Sequence, residues 1–226
     1  MKPFNKYIEH TLLKADARES EAVKLFHEAL KYDFYSVCVD GCYLPQAWEH
    51  LEGSGIMIAT VIGFPLGTMA SSSKAAEAWE ALDDGAEEID VMINVGALKD
   101  RRYDYIYGEM ELLTQLCHKS NAVIKIILET CLLTREEIVK ACELAKRAKV
   151  DFIKTSTGFS TGGATVNDVK LIKEVVGDEI KIKASGGIRS LDFAMELIEA
   201  GADRIGTSAS VDIMEQYIKK EGLKAL

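Results

Sequence analysis

Short apolar runs alternate with amphipathic segments along the whole chain, and the two periods, near 2 and near 3.6, mark strands and helices. Residues 7–13 read as a first strand, and YSVCVD at 35–40 as a second. IMIATVIGFP at 56–65 is a third that must stop at its Gly and Pro. EEIDVMIN (87–94), VIKIILE (123–129), VDFIK (150–154), IKIKASGG (180–187) and DRIGTS (203–208) complete the set of eight. Asp16 and Glu19 are placed to cap the helix after the first strand, and Pro45 starts a short one after the second. The segment 71–84 is an alanine-rich helix ended by Gly85, and one long helix fills the gap between the fourth and fifth strands. Thr134 and Glu137 form a capping box for the next, 165–176 and 190–199 are helical, and a last helix follows the eighth strand.

In the fourth strand alternation sets Ile89, Val91 and Ile93 on the face that helices cover, with Asp90, Met92 and Asn94 opposite. The fifth repeats this, with Ile124, Ile126 and Leu128 opposite Lys125 and Glu129. Eight such units within 226 residues, with no Pro/Gly/Ser-rich linker, predict a single-domain α/β protein over residues 1–226, a (β/α)8 TIM barrel. A doubly wound open sheet has the same order of elements. It does not account for the inward polar set, because strands buried on both faces read as unbroken apolar runs. GxGxxG and P-loop patterns are absent from the sequence.

The formal net charge of −9, without a basic run, argues against nucleic acid and anionic membranes and favours a small-molecule partner. The longest apolar run, 56–66, is too short to span a bilayer, and the start MKPFNKYIEH lacks the apolar stretch of a secretory leader, so the expected setting is cytoplasmic. Five cysteines form an odd set without CxxC spacing, which predicts reduced thiols. The four histidines are scattered, so neither a metal nor another cofactor is expected. Cys38, Cys131 and Cys142 read as packing, and Trp48 and Trp79 as side chains that cover barrel strands.

On a barrel the inward charges are Asp90, Lys125, Glu129, Lys154, Lys181 and Lys183. Lysines confined together disfavour one another's cationic form, and a neutral amine attacks carbonyls. Lys125 and Lys181 lie early in their strands, where structural ion pairs are the rule, whereas Lys154 and Lys183 lie at the ends that carry active sites. Spacing alone does not choose the nucleophile. Lys154 runs into TSTG and Lys183 into ASGG, while GTS follows the last strand and precedes a helix, a setting that suits a phosphate.

HTLLK (10–14), SVCV (36–39), VIGFPLG (61–67), EIDVMINVG (88–96), LETCLLT (128–134), DFIKTSTGFSTGGAT (151–165) and KASGGIR (183–189) resemble the deoxyribose-phosphate aldolases, in order and over nearly the whole chain. The resemblance implies a class I aldolase that cleaves 2-deoxy-D-ribose 5-phosphate to D-glyceraldehyde 3-phosphate and acetaldehyde without a metal. It implies Lys154 as the Schiff-base lysine, Lys183 as the lysine that tunes it and Asp90 as the proton-transfer carboxylate. Gly158, Gly186, Gly187, Gly206 and Ser208 match phosphate loops, and Thr11, Cys38 and Thr157 match positions near substrate. It also implies a homodimer or larger homo-oligomer. The chain departs from the family pattern at Glu9, at Asp40-Gly41, in TMASSSKA and in the ending KKEGLKAL, where relatives carry a tyrosine-bearing tail. Rival readings are another phosphosugar aldolase or isomerase on the same barrel, or a non-catalytic phosphosugar-binding protein.

Overall fold

The computed structural model of the protein describes residues 2–222, so the last four residues of the KKEGLKAL ending lie outside it. Eight parallel strands close a barrel in sequence order: β1 (Ile8–Leu12), β2 (Ser36–Val39), β3 (Met57–Ile62), β4 (Glu88–Met92), β5 (Val123–Ile127), β6 (Phe152–Lys154), β7 (Lys181–Ser185) and β8 (Arg204–Thr207). The open-sheet alternative is thereby excluded, since β1 pairs with β8 as well as with β2. Around the barrel stand α1 (Glu19–Tyr32), α2 (Leu44–Leu51), α3 (Ser71–Asp83), α4 (Val95–Lys99), α5 (Tyr103–Lys119), α6 (Arg135–Ala148), α7 (Val166–Val176), α8 (Leu191–Glu199) and α9 (Ser210–Glu221).

The apolar core is the layer between strands and helices. Ile89, Val91, Ile124, Ile126, Ile153, Ile182 and Ile205 point outward into it and are buried, as alternation requires. Removing that much aliphatic surface from water contributes about 1.5–3 kcal/mol per side chain and leaves the barrel interior free to be polar. No helix among the described residues is long and apolar enough to cross a membrane.

Three local expectations fail for identifiable reasons. The cap of α1 is formed two residues later than Asp16 and Glu19 suggest, with the Arg18 N–H donating to Glu21 at 3.1 Å. The single helix expected after β4 is two: Asn94 caps the short α4 through the Ala97 N–H, and Arg101 takes a left-handed φ of 56° before α5 begins. Trp48 and Trp79 do not cover strands. They are 43% and 61% exposed on the outer helix faces, Trp48 resting against Gly85. The Thr134–Glu137 capping box of α6 is realised as read, and the helices expected from 165 and 190 begin one residue later, with Thr165 and Ser190 as their caps.

Candidate active site

Beside a small apolar cluster of Leu13, Cys38, Ala59 and Val61, the barrel interior holds a network of ions. Strand register places Asp90 beside Lys125, and Lys154 beside Lys183 one layer nearer the C-terminal mouth. Asp90 is completely buried and joins the layers. Its Oδ1 accepts from Lys125 at 2.8 Å, and its Oδ2 accepts from Lys154 at 2.8 Å and from Lys183 at 2.7 Å. Lys125 also contacts Glu88 at 2.6 Å, and Lys183 donates to Glu9.

The electrostatics follow from this geometry. Burial alone raises the Asp90 carboxyl, but the positive charge of Lys125, and then of Lys154 and Lys183, holds it well below its ordinary value. Burial works to lower Lys183, yet Asp90 and Glu9 outweigh it and push the amine up. Lys125 is pushed up in the same way by Asp90, Glu88 and Glu9. Mutual repulsion of the lysines is therefore not what governs Lys183, contrary to the expectation for a confined pair, because carboxylates stand between the amines. Lys125 and Lys183 each have a carboxylate besides Asp90, whereas among the described residues the only carboxylate contact of Lys154 is the oxygen it shares with Lys183.

Two expected members of the interior lie elsewhere. Lys181 starts β7 at the N-terminal mouth, where it is exposed, its Nζ 5.6 Å from the Phe152 ring. Glu129 is past the end of β5 in a left-handed conformation, φ 57°, and there its carboxylate accepts from the N–H of Thr157 at 3.3 Å and from its hydroxyl. It fixes the loop after β6. Cys131, expected in the packing, is exposed beside it. Conversely, Glu9 and Glu88 are buried inside the barrel; each is two residues from a position already read as facing the site, so the same alternation could have found them.

Above the lysines opens a cavity of about 230 Å³. Lys154 and Lys183 form its floor, and Thr11, Thr157, Gly158, Gly186, Gly187, Gly206 and Ser208 line it. Cys38 and Asp90 lie beneath, both fully buried, and burial pushes the Cys38 thiol up. The strand ends bearing the two lysines are laced by hydroxyls: Thr155 donates to the Ser185 carbonyl at 3.2 Å, and Ser185 to the Ser156 carbonyl at 2.6 Å. The following loops meet backbone to backbone. A Cβ on Gly163 would stand 2.2 Å from the Gly186 oxygen, and the Ala164 N–H donates to the Ser185 and Gly186 carbonyls at 3.1 Å. Gly163→Ala is therefore expected to lower the urea midpoint by an amount equivalent to about 1–3 kcal/mol, the range for overpacking, and to weaken substrate binding.

Lys14 and Arg189, not foreseen as site residues, complete the rim. Among the described residues four basic side chains and no carboxylate line this cavity, in a chain whose formal net charge is −9. A small anion is attracted there and an amine awaits it.

A closed (β/α)8 barrel with a buried amine–carboxylate cluster under an anion-attracting mouth is the architecture of a barrel lyase. The chain belongs to the DeoC/LacD family of aldolases, whose family model matches residues 4–216. A deoxyribose-phosphate aldolase of Finegoldia magna is 53% identical, covering 93% of this chain and 98% of its own. One of Thermococcus gammatolerans is 52% identical over 93% and 94%. The solved structure of a tetrameric deoxyribose phosphate aldolase from Aeropyrum pernix superposes with a TM-score of 0.88 at 33% identity, covering 93% of this chain and 89% of that one.

Proposed function

We propose that the protein cleaves 2-deoxy-D-ribose 5-phosphate reversibly to D-glyceraldehyde 3-phosphate and acetaldehyde through an imine on Lys154. The observation that carries the substrate reading is a cavity lined, among the described residues, by four basic side chains and no carboxylate. Lys154 Nζ adds to the aldehyde carbon C1, and water leaves to give the imine. The C3 hydroxyl then loses its proton, the C2–C3 bond breaks, and its electron pair moves toward the imine nitrogen as an enamine. Protonation at C2 and hydrolysis release acetaldehyde and the free amine.

Asp90 does not reach the cavity, whereas Lys183 lines it and donates to the same Asp90 oxygen as Lys154. In this reading Asp90 moves the proton through Lys183 and a water, and its charge keeps Lys183 a donor. Thr11, Cys38 and Thr157 surround the reacting carbons. Gly158, Gly186, Gly187, Gly206 and Ser208 hold the phosphate, with Ser208 two residues before α9. The five unpaired cysteines support a cytoplasmic setting. A homo-oligomeric assembly is supported by the relative described as tetrameric.

The test separates phosphate from sugar. The purified protein should release acetaldehyde from deoxyribose 5-phosphate. Ser208→Asp should raise KM for that substrate at least about tenfold, the effect of roughly 1.4 kcal/mol, and leave turnover of unphosphorylated deoxyribose nearly unchanged. Equal losses on both sugars would move the phosphate site elsewhere, and no release from the unaltered protein would remove the proposed reaction.

A further inference from the structure

Lys74 of α3 is completely buried and has no part in the chemistry described above. Its Nζ donates to Glu109 Oε1 of α5 at 2.6 Å and to the Met92 carbonyl, at the end of β4, at 2.7 Å. The second Glu109 oxygen accepts from Ser71 at 2.6 Å. A buried ion pair gives little net stability over apolar side chains of the same volume, so stability alone is a weak reason for one between two outer helices.

What the pair grips is the turn at residues 63–67, beside the cavity. A Cβ on Gly63 would come 2.8 Å from Lys74 Cε, so the lysine stem lies directly against that backbone. The Gly63 N–H donates to Glu77, also on α3, at 2.8 Å. The turn closes through the Gly67 N–H to the Gly63 carbonyl at 2.7 Å, and Gly67 packs so tightly on the backbone just past β4 that a Cβ there would stand 2.1 Å from the Ile93 oxygen. The side chain this turn presents is Phe64. Its ring centroid is 5.8 Å from Lys154 Nζ, and its face-to-edge contact with Phe159 spans 5.3 Å.

We propose that Lys74 is a positioning residue for the aldol reaction, setting through Gly63 and the Met92 carbonyl where Phe64 stands beside Lys154. Phe64 is the apolar wall next to the amine; displaced, it admits water to a group whose attack depends on a dry and fixed approach. Lys74 thus acts on the chemistry without touching substrate. The inference rests on Lys154 being the imine lysine, which borohydride trapping of the unaltered protein tests on its own.

The experiment compares Lys74→Met/Glu109→Gln, which removes both buried charges, with Phe64→Leu and with the combination. Each is read by its thermal melt, by kcat and KM for deoxyribose 5-phosphate, and by the rate at which acetaldehyde and borohydride label Lys154. The charge-free pair is expected to melt cooperatively, with labelling and kcat both reduced up to about 10²-fold, the scale of a small misplacement, and KM little changed. Phe64→Leu should reproduce the defect, and the combination should add almost nothing. A lowered melt with labelling and kcat at their original rates makes the pair purely structural and overturns the proposal, as do losses that multiply in the combination. Should the charge-free pair fail to fold, Glu77→Ala loosens the same turn from an exposed position; kcat must fall there without a change in KM, and an unchanged kcat overturns the proposal. Absence of Lys154 labelling in the unaltered protein ends both readings.

Discussion

With Lys154 replaced by methionine, borohydride reduction in the presence of acetaldehyde should leave the active-site peptide unlabelled. The unaltered protein should gain one ethyl group, mapped to that residue. Cleavage of deoxyribose 5-phosphate should fall by about 10⁴-fold or more, the scale on which covalent enzymes lose activity without their nucleophile. The reason for choosing Lys154 is the pattern of ion pairing. Glu88 and Glu9 engage Lys125 and Lys183 in addition to Asp90, whereas among the described residues Lys154 contacts a single carboxylate oxygen that it shares. Methionine matches the length of most of the lysine stem and leaves Asp90 with two cations, so the fold is expected to survive. An ethyl group found on Lys125 or Lys183 would falsify the assignment.

The second large effect is expected at Asp90. In Asp90→Asn the three lysines lose the anion they converge on, and removing one partner of a buried network costs about 3–5 kcal/mol. Exchange of the acetaldehyde methyl protons with deuterium, a step that needs a base, should slow by about 10² or more, the usual scale for general-base loss. Retention of the original exchange rate would make Asp90 structural. Linkage gives a further signature. Because Asp90 is held below its ordinary 3.8, its contribution to stability is complete above that pH and lost as pH falls below it. Lys183 is held above its ordinary 10.5, so its contribution is complete below that pH and lost as pH rises past it. Urea midpoints should therefore show no contribution from either group's titration between these values. The asparagine variant should lack the Asp90 part of the acid limb.

The fold was legible because β4 to β7 alternate, aliphatic outward and in each a charged residue inward, whereas β3 turns Ala59 and Val61 inward and gives no such signal. The same rule misled at the strand ends. Alternation cannot tell that β7 begins at the barrel mouth, so by pattern Lys181 belongs to the interior although water reaches it. Nor does it register that β5 ends at Ile127 and that the chain turns left-handed at Glu129. The cap of α1 escapes the local pattern because its N-cap is Arg18, outside the residue types that signal a cap, and the contact formed runs from the Arg18 N–H to Glu21. Lys14 and Arg189 come from loops far apart in sequence. Their common rim exists only once β1 meets β8, a pairing no local signal announces.

The backbone contact between Gly163 and Gly186 makes the loop that follows the imine lysine and the loop proposed to hold phosphate a single mechanical plate. A phosphate that stills one loop must still the other, so the charged end of a substrate can quiet the segment beside its distant reacting carbon. Affinity and reactivity are then not separately adjustable by drift in either loop alone. A change that admits a bulkier acceptor at 186 has to be answered at 163, and sequences in which only one of the pair has gained a side chain should have found another way to close this seam.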